Sequence, residues 1–259
     1  MTEQNPNVIK LFVRHGKSVN NARVETGDPL LNRVGGYQPN VELAREGMSQ
    51  AFNFGRVALH NLSEMLDRPV RLVRLGAGPS VRTRETARYI REGLQNPSMP
   101  ITNMPHMREQ CKGNKWLGGD EKRLRSSVET AAYLERRAAE GWDFRSGRPW
   151  VNRLGLHVLH GAETPREVGA RILPWFTEVP PLADRDRNSD VVLVDMVVSH
   201  GLAGLCGMAR LLHTSPDSPS DIGISVNEAY EQYHLANATA FVVSQDDAGG
   251  WTNHGRITP

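Results

Sequence analysis

The stretch VIKLFVRHGKSVNN, Val8 to Asn21, is a short β-type apolar run that stops abruptly at Arg14-His15-Gly16. Apolar strands that end at a polar, Gly-containing turn are typical of the C-terminal edge of an open α/β sheet, where such folds place ligands. A second segment repeats the arrangement. Val191 to Val198 reads as a buried strand and runs directly into Ser199-His200-Gly201. His15 and His200 therefore occupy equivalent places, each after an apolar strand and before a glycine. In a parallel sheet the strand C-termini share one edge, so the two imidazoles are predicted to face each other across one pocket.

Working outward, Asn20 to Asn40 is rich in Asn, Gly and Pro and reads as loop. The spacing of Leu43, Met48, Phe52, Val57 and Leu62 predicts an amphipathic helix from Glu42 to about Leu62. Val70 to Leu75 reads as a strand, Gly76 to Pro79 as a turn, and Ser80 as the N-cap of a helix over Val81 to Leu94. Pro97 to about Pro165 has a different character, with Lys112, Lys115, a charged helical stretch and WDFRSGRPW at Trp142 to Trp150. It is read as a cap inserted over the sheet edge. Glu163 to Trp175 looks helical, Pro180 to Ser189 reads as loop, and a helix resumes from Leu202 to Leu212. Ala240 to Ser244 is the last strand expected. Alternating strands and helices predict a single α/β domain over residues 1–259, a three-layer αβα sandwich with a mainly parallel sheet and a cap at about 97–165.

Composition narrows the function classes. The chain has 259 residues, 39% apolar and 23% charged, with a mean hydropathy of −0.47. That is rich enough in apolar residues for a core and not biased enough for disorder. No apolar run approaches the ~20 residues of a membrane span, and MTEQNPN lacks the features of a signal peptide. Cys111 and Cys206 are too few for a disulfide framework or a zinc site of their own, so reduced thiols and a cytoplasmic location are expected. A net charge of +2 does not announce a nucleic-acid binder. Only five of the 31 cationic residues are lysine, so arginine dominates.

Arg14 sits beside His15, and Arg82 sits at the start of a helix that follows another strand. Two arginines and two histidines converging at helix N-termini would make a dianion site. Guanidinium forks match phosphate oxygens bidentately, and helix N–H groups add donors. One charge-assisted hydrogen bond contributes roughly 1.5–3 kcal/mol, so several could hold a phosphoryl group without a metal ion. An imidazole among cations is held neutral by like charge and stays nucleophilic. Histidine forms covalent intermediates, which makes a phosphohistidine route chemically reasonable.

Taken together and in order, these segments resemble the histidine phosphatase (phosphoglycerate mutase-like) superfamily. Arg14-His15-Gly16-Lys17-Ser18-Val19-Asn20-Asn21 resembles its R-H-G-x-S-x-x-N signature, and Leu43 to Ala51 its L-T-x-x-G-x-x-Q-A helix. Pro79 to Ala87 is similar to its S-P-x-x-R-x-x-x-T-A segment, and Val198-Ser199-His200-Gly201 to its V-S-H-G strand end. Met107-Arg108-Glu109-Gln110 with Gly113-Asn114 resembles the L-R-E-Q-x-x-G-N stretch of a broad phosphatase branch. Gly161-Ala162-Glu163 followed by Val168 and Arg171 resembles its G-E-S-x-x-x-V-x-x-R helix.

The resemblance implies roles. His15 would take the phosphoryl group, and Arg14, Arg82 and His200 would bind its oxygens. Asn21 would stand at the rim, and Glu109 would protonate the leaving alcohol and then activate water. Ser18, Lys17, Gln110, Lys112 and Arg145 are the further substrate-binding candidates, and no cofactor or metal is implied. The chain departs from the family pattern in three places. Lys17 stands where Glu or Gln is usual, Gly78 replaces Ser before Pro79, and Trp116-Leu117-Gly118 stands in place of W-E-G. Lys17 is expected to add positive charge at the pocket mouth.

Other signals are weaker. Asp184-x-Asp186-x-Asn188 with Asp195 faintly resembles a calcium loop but lacks its glycine, and solvated loop is the preferred reading. His157 and His160 have no evident third metal ligand. Asp195, inside an apolar strand, needs a partner or a bulge. The expectation is a hydrolase acting on phosphate esters, a metal-independent phosphomonoesterase for a small-molecule phosphate ester, with no nucleic-acid or membrane partner. A homodimer suits a chain of this size. A phosphoglycerate-type mutase shares every catalytic residue, and a non-catalytic phospholigand-binding protein would share the pocket.

Overall fold

A computed structural model describes residues 8–25, 40–109, 165–183, 190–215, 218–222, 224, 226–246 and 249–259. Its centre is a six-stranded sheet of β1 (Val8–Arg14), β2 (Val70–Ala77), β3 (Ile101–Asn103), β4 (Val192–Ser199), β7 (Ala240–Gln245) and β8 (Trp251–Ile257), in the order β3-β2-β4-β1-β7-β8. The neighbours β3-β2-β4-β1 run parallel, whereas β7 pairs antiparallel with β1 and β8 antiparallel with β7. A short hairpin of β5 (Thr214–Ser215) and β6 (Ser218–Ile222) stands apart.

Strand alternation sorts the core into two layers. Ile9, Leu11 and Val13 of β1 join Val194, Met196 and Val198 of β4 on one face, under α2 (Arg45–Leu66) and α3 (Val81–Gly93). Phe12 and Val197 face the other way, packing with Trp175 and Phe176 of α4 (Pro165–Thr177) and with α5 (Gly201–His213). α6 (Val226–Tyr233) adds Ala229 and Tyr233 to this second layer. The αβα sandwich with a mainly parallel sheet is thus as expected. Ile101–Asn103 pairs with β2 and belongs to the sheet, ahead of most of the segment expected as a cap. Residues 110–164 of that segment lie outside the described residues.

Three local expectations are corrected. Val19–Glu25 is a helix, α1, where loop was expected from Asn20. Ser18 Oγ accepts from the Asn21 backbone N–H at 3.2 Å while Asn21 Oδ1 accepts from the Ser18 N–H at 3.1 Å. This reciprocal cap starts the helix with Asn at the position usually read as Glu or Gln. In α2 the buried face is Gly47, Ala51, Phe54, Gly55, Ala58 and Leu62, and Phe52 is 39% exposed. The small residues let α2 lie against α3 closely enough that a Cβ on Gly55 would stand 2.3 Å from the Ile90 carbonyl oxygen. Of the expected stripe, Leu62 lies in this contact, whereas Met48 and Val57 are half-buried and Phe52 is exposed, so the buried face is rotated toward the small residues. Finally, β8 follows β7, beyond the last strand expected from the sequence. Its outward positions are polar, as an edge strand tolerates, and a bulge opposite Val242 and Val243 hides the alternation.

Asp195 has both the partner and the irregularity that its position demands. Arg74 Nε and Nη2 donate to its two oxygens at 2.8 and 2.6 Å, and Lys10 Nζ lies 2.7 Å from Oδ2. The register of β2 against β4 shifts between Leu72 and Arg74, which brings Arg74 opposite Asp195. Lys10 Nζ also donates to the Trp175 and Glu178 carbonyls, tying the sheet to the end of α4. Asp195 is therefore committed to this buried cluster, which leaves no role for it in a calcium loop.

Candidate active site

The register of the sheet brings the site together. Arg14, the last residue of β1, lies beside Ser199, the last of β4, and Ala77 of β2 lies beside Val198. His15, His200 and the Gly78-Pro79 turn consequently leave the same sheet edge. The two imidazole centroids are 5.1 Å apart at 73°. Arg14, His15, Ser18, Asn21, Arg82 and Glu109 line one cavity of about 340 Å³ with Gly201 at the start of α5.

The R-H-G turn is held by backbone contacts that account for much of the surrounding sequence. His15 N–H donates to the Ser199 carbonyl at 3.0 Å, and Asn237 Nδ2 donates to the His15 carbonyl at 3.0 Å. Gly16 N–H donates to Thr86 Oγ1 at 3.0 Å, and Lys17 N–H to Gln50 Oε1 at 3.0 Å. The backbone at Gly47 is pressed so closely on this turn that a Cβ there would stand 2.1 Å from the Lys17 carbonyl oxygen. Gly47, Gln50 and Thr86 thus support the loop rather than touch a ligand.

His15 is 5% exposed, and its protonation pattern follows from its partners. The Gly16 carbonyl, 2.7 Å from Nδ1, can only accept, so Nδ1 carries the hydrogen. Nε2 is left with its lone pair and accepts from Arg82 Nε at 3.2 Å. Burial, then the Arg82 and Arg14 charges, push the imidazole pKa down to about 3. Burial contributes more than the like charge expected from sequence, with the same outcome of a neutral ring. His200 is fully buried and likewise held neutral, by burial first and then by His15, Arg82 and Arg14. Arg82 Nη2 lies 3.2 Å from His200 Nδ1, so one guanidinium spans both rings.

Arg14 Nη1 donates to the Leu235 carbonyl at 2.5 Å and lies 3.4 Å from His234 Nε2. Its buried Nε has no acceptor among the described residues. Glu109 Oε2 is 3.5 Å from His200 Nδ1, and the carboxyl side chain is 20% exposed. Arg171 of α4 donates to the carbonyls of His106 and Arg108 and so fixes the backbone that leads into Glu109.

His15, His200, Arg14, Arg82, Glu109, Asn21 and Ser18 are thus brought together. Lys17 is not. Its ammonium turns away to Glu25 at 2.5 Å and Glu46 at 2.7 Å, and it does not line the cavity, so the expected charge at the mouth is neutralised. Gln110, Lys112 and Arg145 lie outside the described residues, as do Lys115, Trp116, Trp142, Arg148, His157, His160 and Asp184–Asn188. Among the described residues no group of three or more His, Cys, Asp or Glu is placed to hold a metal ion. No helix among them is long and apolar enough to cross a membrane.

Some residues of the site carried no usable sequence signal. Tyr230 of α6 and His234, just past its end, stack at 4.6 Å and 28° and form one wall of the cavity, with Val41, Leu202 and Leu205 as its other apolar lining. Asn237 stands in Asn237-Ala238-Thr239, which by pattern is only a glycosylation acceptor. Its grip on the His15 carbonyl depends on β7 lying beside β1.

The model of the histidine phosphatase superfamily (branch 1) matches residues 11–247, and the chain belongs to that superfamily. Among solved structures, a mycobacterial glucosyl-3-phosphoglycerate phosphatase is similar at 20% identity and a TM-score of 0.58, covering 95% of this chain and 96% of that one. A phosphoglycerate mutase from Bacillus anthracis is similar at 19% identity and TM-score 0.56, over 96% and 92% of the two chains. A phosphoserine phosphatase mutant from Entamoeba histolytica in complex with phosphoserine is similar at 14% identity and TM-score 0.54, over 96% of each chain. These likenesses establish the fold. No curated protein sequence matches the chain.

Proposed function

We propose that this member of the histidine phosphatase superfamily is a phosphomonoesterase that works through a phosphohistidine on His15. The observation that carries the reading is the His15 ring itself. Its Nδ1–H is anchored on the Gly16 carbonyl and its Nε2 lone pair is presented beside Arg82, in a cavity that Arg82 and Glu109 also line, with the His200 ring packed against it.

In the first step His15 Nε2 attacks the phosphorus of the ester, and the bond from phosphorus to the leaving oxygen breaks. Glu109, in its acid form, gives its proton to that oxygen. Arg14, Arg82 and His200 surround the equatorial oxygens, where donors fixed in advance stabilise developing charge most effectively. In the second step the Glu109 carboxylate takes a proton from water as the water oxygen attacks phosphorus. The phosphorus–nitrogen bond breaks, inorganic phosphate leaves, and His15 is regenerated. The positive charge that both steps need is supplied by the chain's own arginines. A small leaving group fits a cavity of this size, with the Tyr230 and His234 rings as its wall.

Hydrolysis of p-nitrophenyl phosphate in EDTA tests this reading with wild type, His15→Ala and Glu109→Gln. Metal-free turnover that vanishes in His15→Ala and falls strongly in Glu109→Gln is expected. A wild-type enzyme that hydrolyses no ester but transfers phosphoryl groups between acceptors would assign it to the mutases. Phosphate binding with no turnover of either kind would make it a phospholigand-binding protein.

A further inference from the structure

His200 Nε2 lies 3.3 Å from Ser80 Oγ, Ser80 Oγ 2.9 Å from Thr83 Oγ1, and Thr83 Oγ1 2.7 Å from the Gly78 carbonyl oxygen. All three side chains are completely buried. The direction of every hydrogen bond in this row is fixed by its ends. Arg82 Nη2 can only donate, so His200 Nδ1 accepts, and a neutral ring must then carry its hydrogen on Nε2. The Gly78 and Ser80 carbonyls, 2.7 and 2.8 Å from Thr83 Oγ1, can only accept, so the Thr83 hydroxyl donates to these backbone oxygens. Nε2–H therefore donates to Ser80 Oγ, Ser80 donates to Thr83 Oγ1, and Thr83 donates to the Gly78 and Ser80 carbonyls.

We propose that Ser80 and Thr83 are positioning residues that lock the His200 tautomer, with hydrogen on Nε2 and the Nδ1 lone pair turned to the Arg82 guanidinium. The consequence rests on the phosphatase reading above. With Nε2 already donating, Nδ1 is the one ring atom that can gain a proton, and it lies between Arg82 and Glu109 Oε2. The charges facing the ring are Arg82 from α3, Arg14 from β1 and Arg171 from α4, with the His15 ring against it and the Glu109 carboxyl beside Nδ1. A phosphoryl dianion among these groups offsets the arginine charges. His200 then takes a proton from solvent at Nδ1 and donates it as a hydrogen bond to a phosphoryl oxygen. The hydroxyl row also explains why Ser80 makes no side-chain cap to α3 although it holds the N-cap position. Its oxygen is engaged by His200 and its proton by Thr83.

The test is nitrogen NMR of the full chain labelled with 15N-histidine, together with kinetics. In wild type, His200 is expected to show a protonated Nε2 and a bare Nδ1, with Nδ1 becoming protonated when inorganic phosphate is added. Thr83→Val keeps the shape and removes the hydroxyl, whereas Thr83→Ser keeps the hydroxyl and removes a methyl. The valine variant should blur the two nitrogen signals toward a tautomer average and lower kcat about ten- to hundredfold, the scale of misplacing a reacting group. The serine variant should retain the wild-type spectrum and most of kcat, and Ser80→Ala should match the valine variant. A wild-type spectrum with hydrogen on Nδ1 overturns the proposal. So does a Thr83→Val protein with unchanged tautomer and turnover, or a loss that follows the missing methyl in Thr83→Ser. The spectrum decides the tautomer whether or not any ester is hydrolysed, so failure here is separable from failure of the phosphatase reading.

Discussion

Arg82 Nε donates to His15 Nε2 at 3.2 Å, and Nη2 of the same guanidinium lies 3.2 Å from His200 Nδ1. One planar cation thus sets the spacing of both imidazoles. A lysine would keep the charge but present a single ammonium that cannot hold both rings in this geometry. Arg82→Lys is therefore expected to lower kcat by about 10²-fold or more, the scale of removing one preorganised donor. Stability should change little by comparison. Steady-state kinetics alongside thermal unfolding would separate the two effects, and near-wild-type kcat in Arg82→Lys would refute the bridging role.

Holding His15 neutral has a measurable effect on folding. Its pKa falls from 6.5 to about 3 in the native state, chiefly through burial. Below 6.5 the unfolded chain binds a proton that the native ring refuses. The contribution to stability is therefore fully present above 6.5 and is lost progressively as pH falls toward 3. Between about pH 6.5 and pH 4.5 one such group removes about 2 kcal/mol. Urea unfolding at these two pH values should show a smaller loss in His15→Gln than in wild type, by about that amount. Equal losses in both proteins would mean that His15 is not held neutral.

The buried cluster of Lys10, Asp195 and Arg74 ties three neighbouring strands together away from the reacting groups. Asp195→Asn keeps the shape but leaves two cations facing a neutral amide. Breaking a buried ion pair from one side costs about 3–5 kcal/mol, so the midpoint of chemical denaturation should drop sharply. Activity per folded molecule should hold. An unchanged midpoint would show the cluster to be energetically idle.

Lys17 gives the opposite expectation to the one its position suggested. Its ammonium is shared by Glu25 and Glu46 on the outer side of the loop. Replacing it with methionine should leave KM for an anionic ester within about twofold, since its charge is already neutralised by two carboxylates and it does not line the cavity. A large rise in KM would place the lysine at the substrate after all.

The strand ends carrying His15 and His200 were legible because a buried parallel strand is an uninterrupted apolar run and the polar break after it is abrupt. The order of the family segments then brought Arg82 and Glu109 to the same place. What stayed hidden was set by contacts between distant parts of the chain. The buried face of α2 runs through Gly47 and Gly55, which have no side chain to announce a contact. Asn21 caps α1 in a role usually read from glutamate. The partners of Asp195 come from β1 and β2, more than a hundred residues earlier, and depend on a bulge no local pattern marks. Tyr230, His234 and Asn237 reach the site only because β7 doubles back beside β1.

The central claim is the covalent step on His15. Wild-type protein mixed with a 32P-labelled monoester and quenched in alkali should carry label that survives base and is released by acid, as a phosphorus–nitrogen bond requires. Peptide mapping should place it on His15, and His15→Ala should carry none. Turnover that persists in His15→Ala, or label found on another residue, would contradict the account.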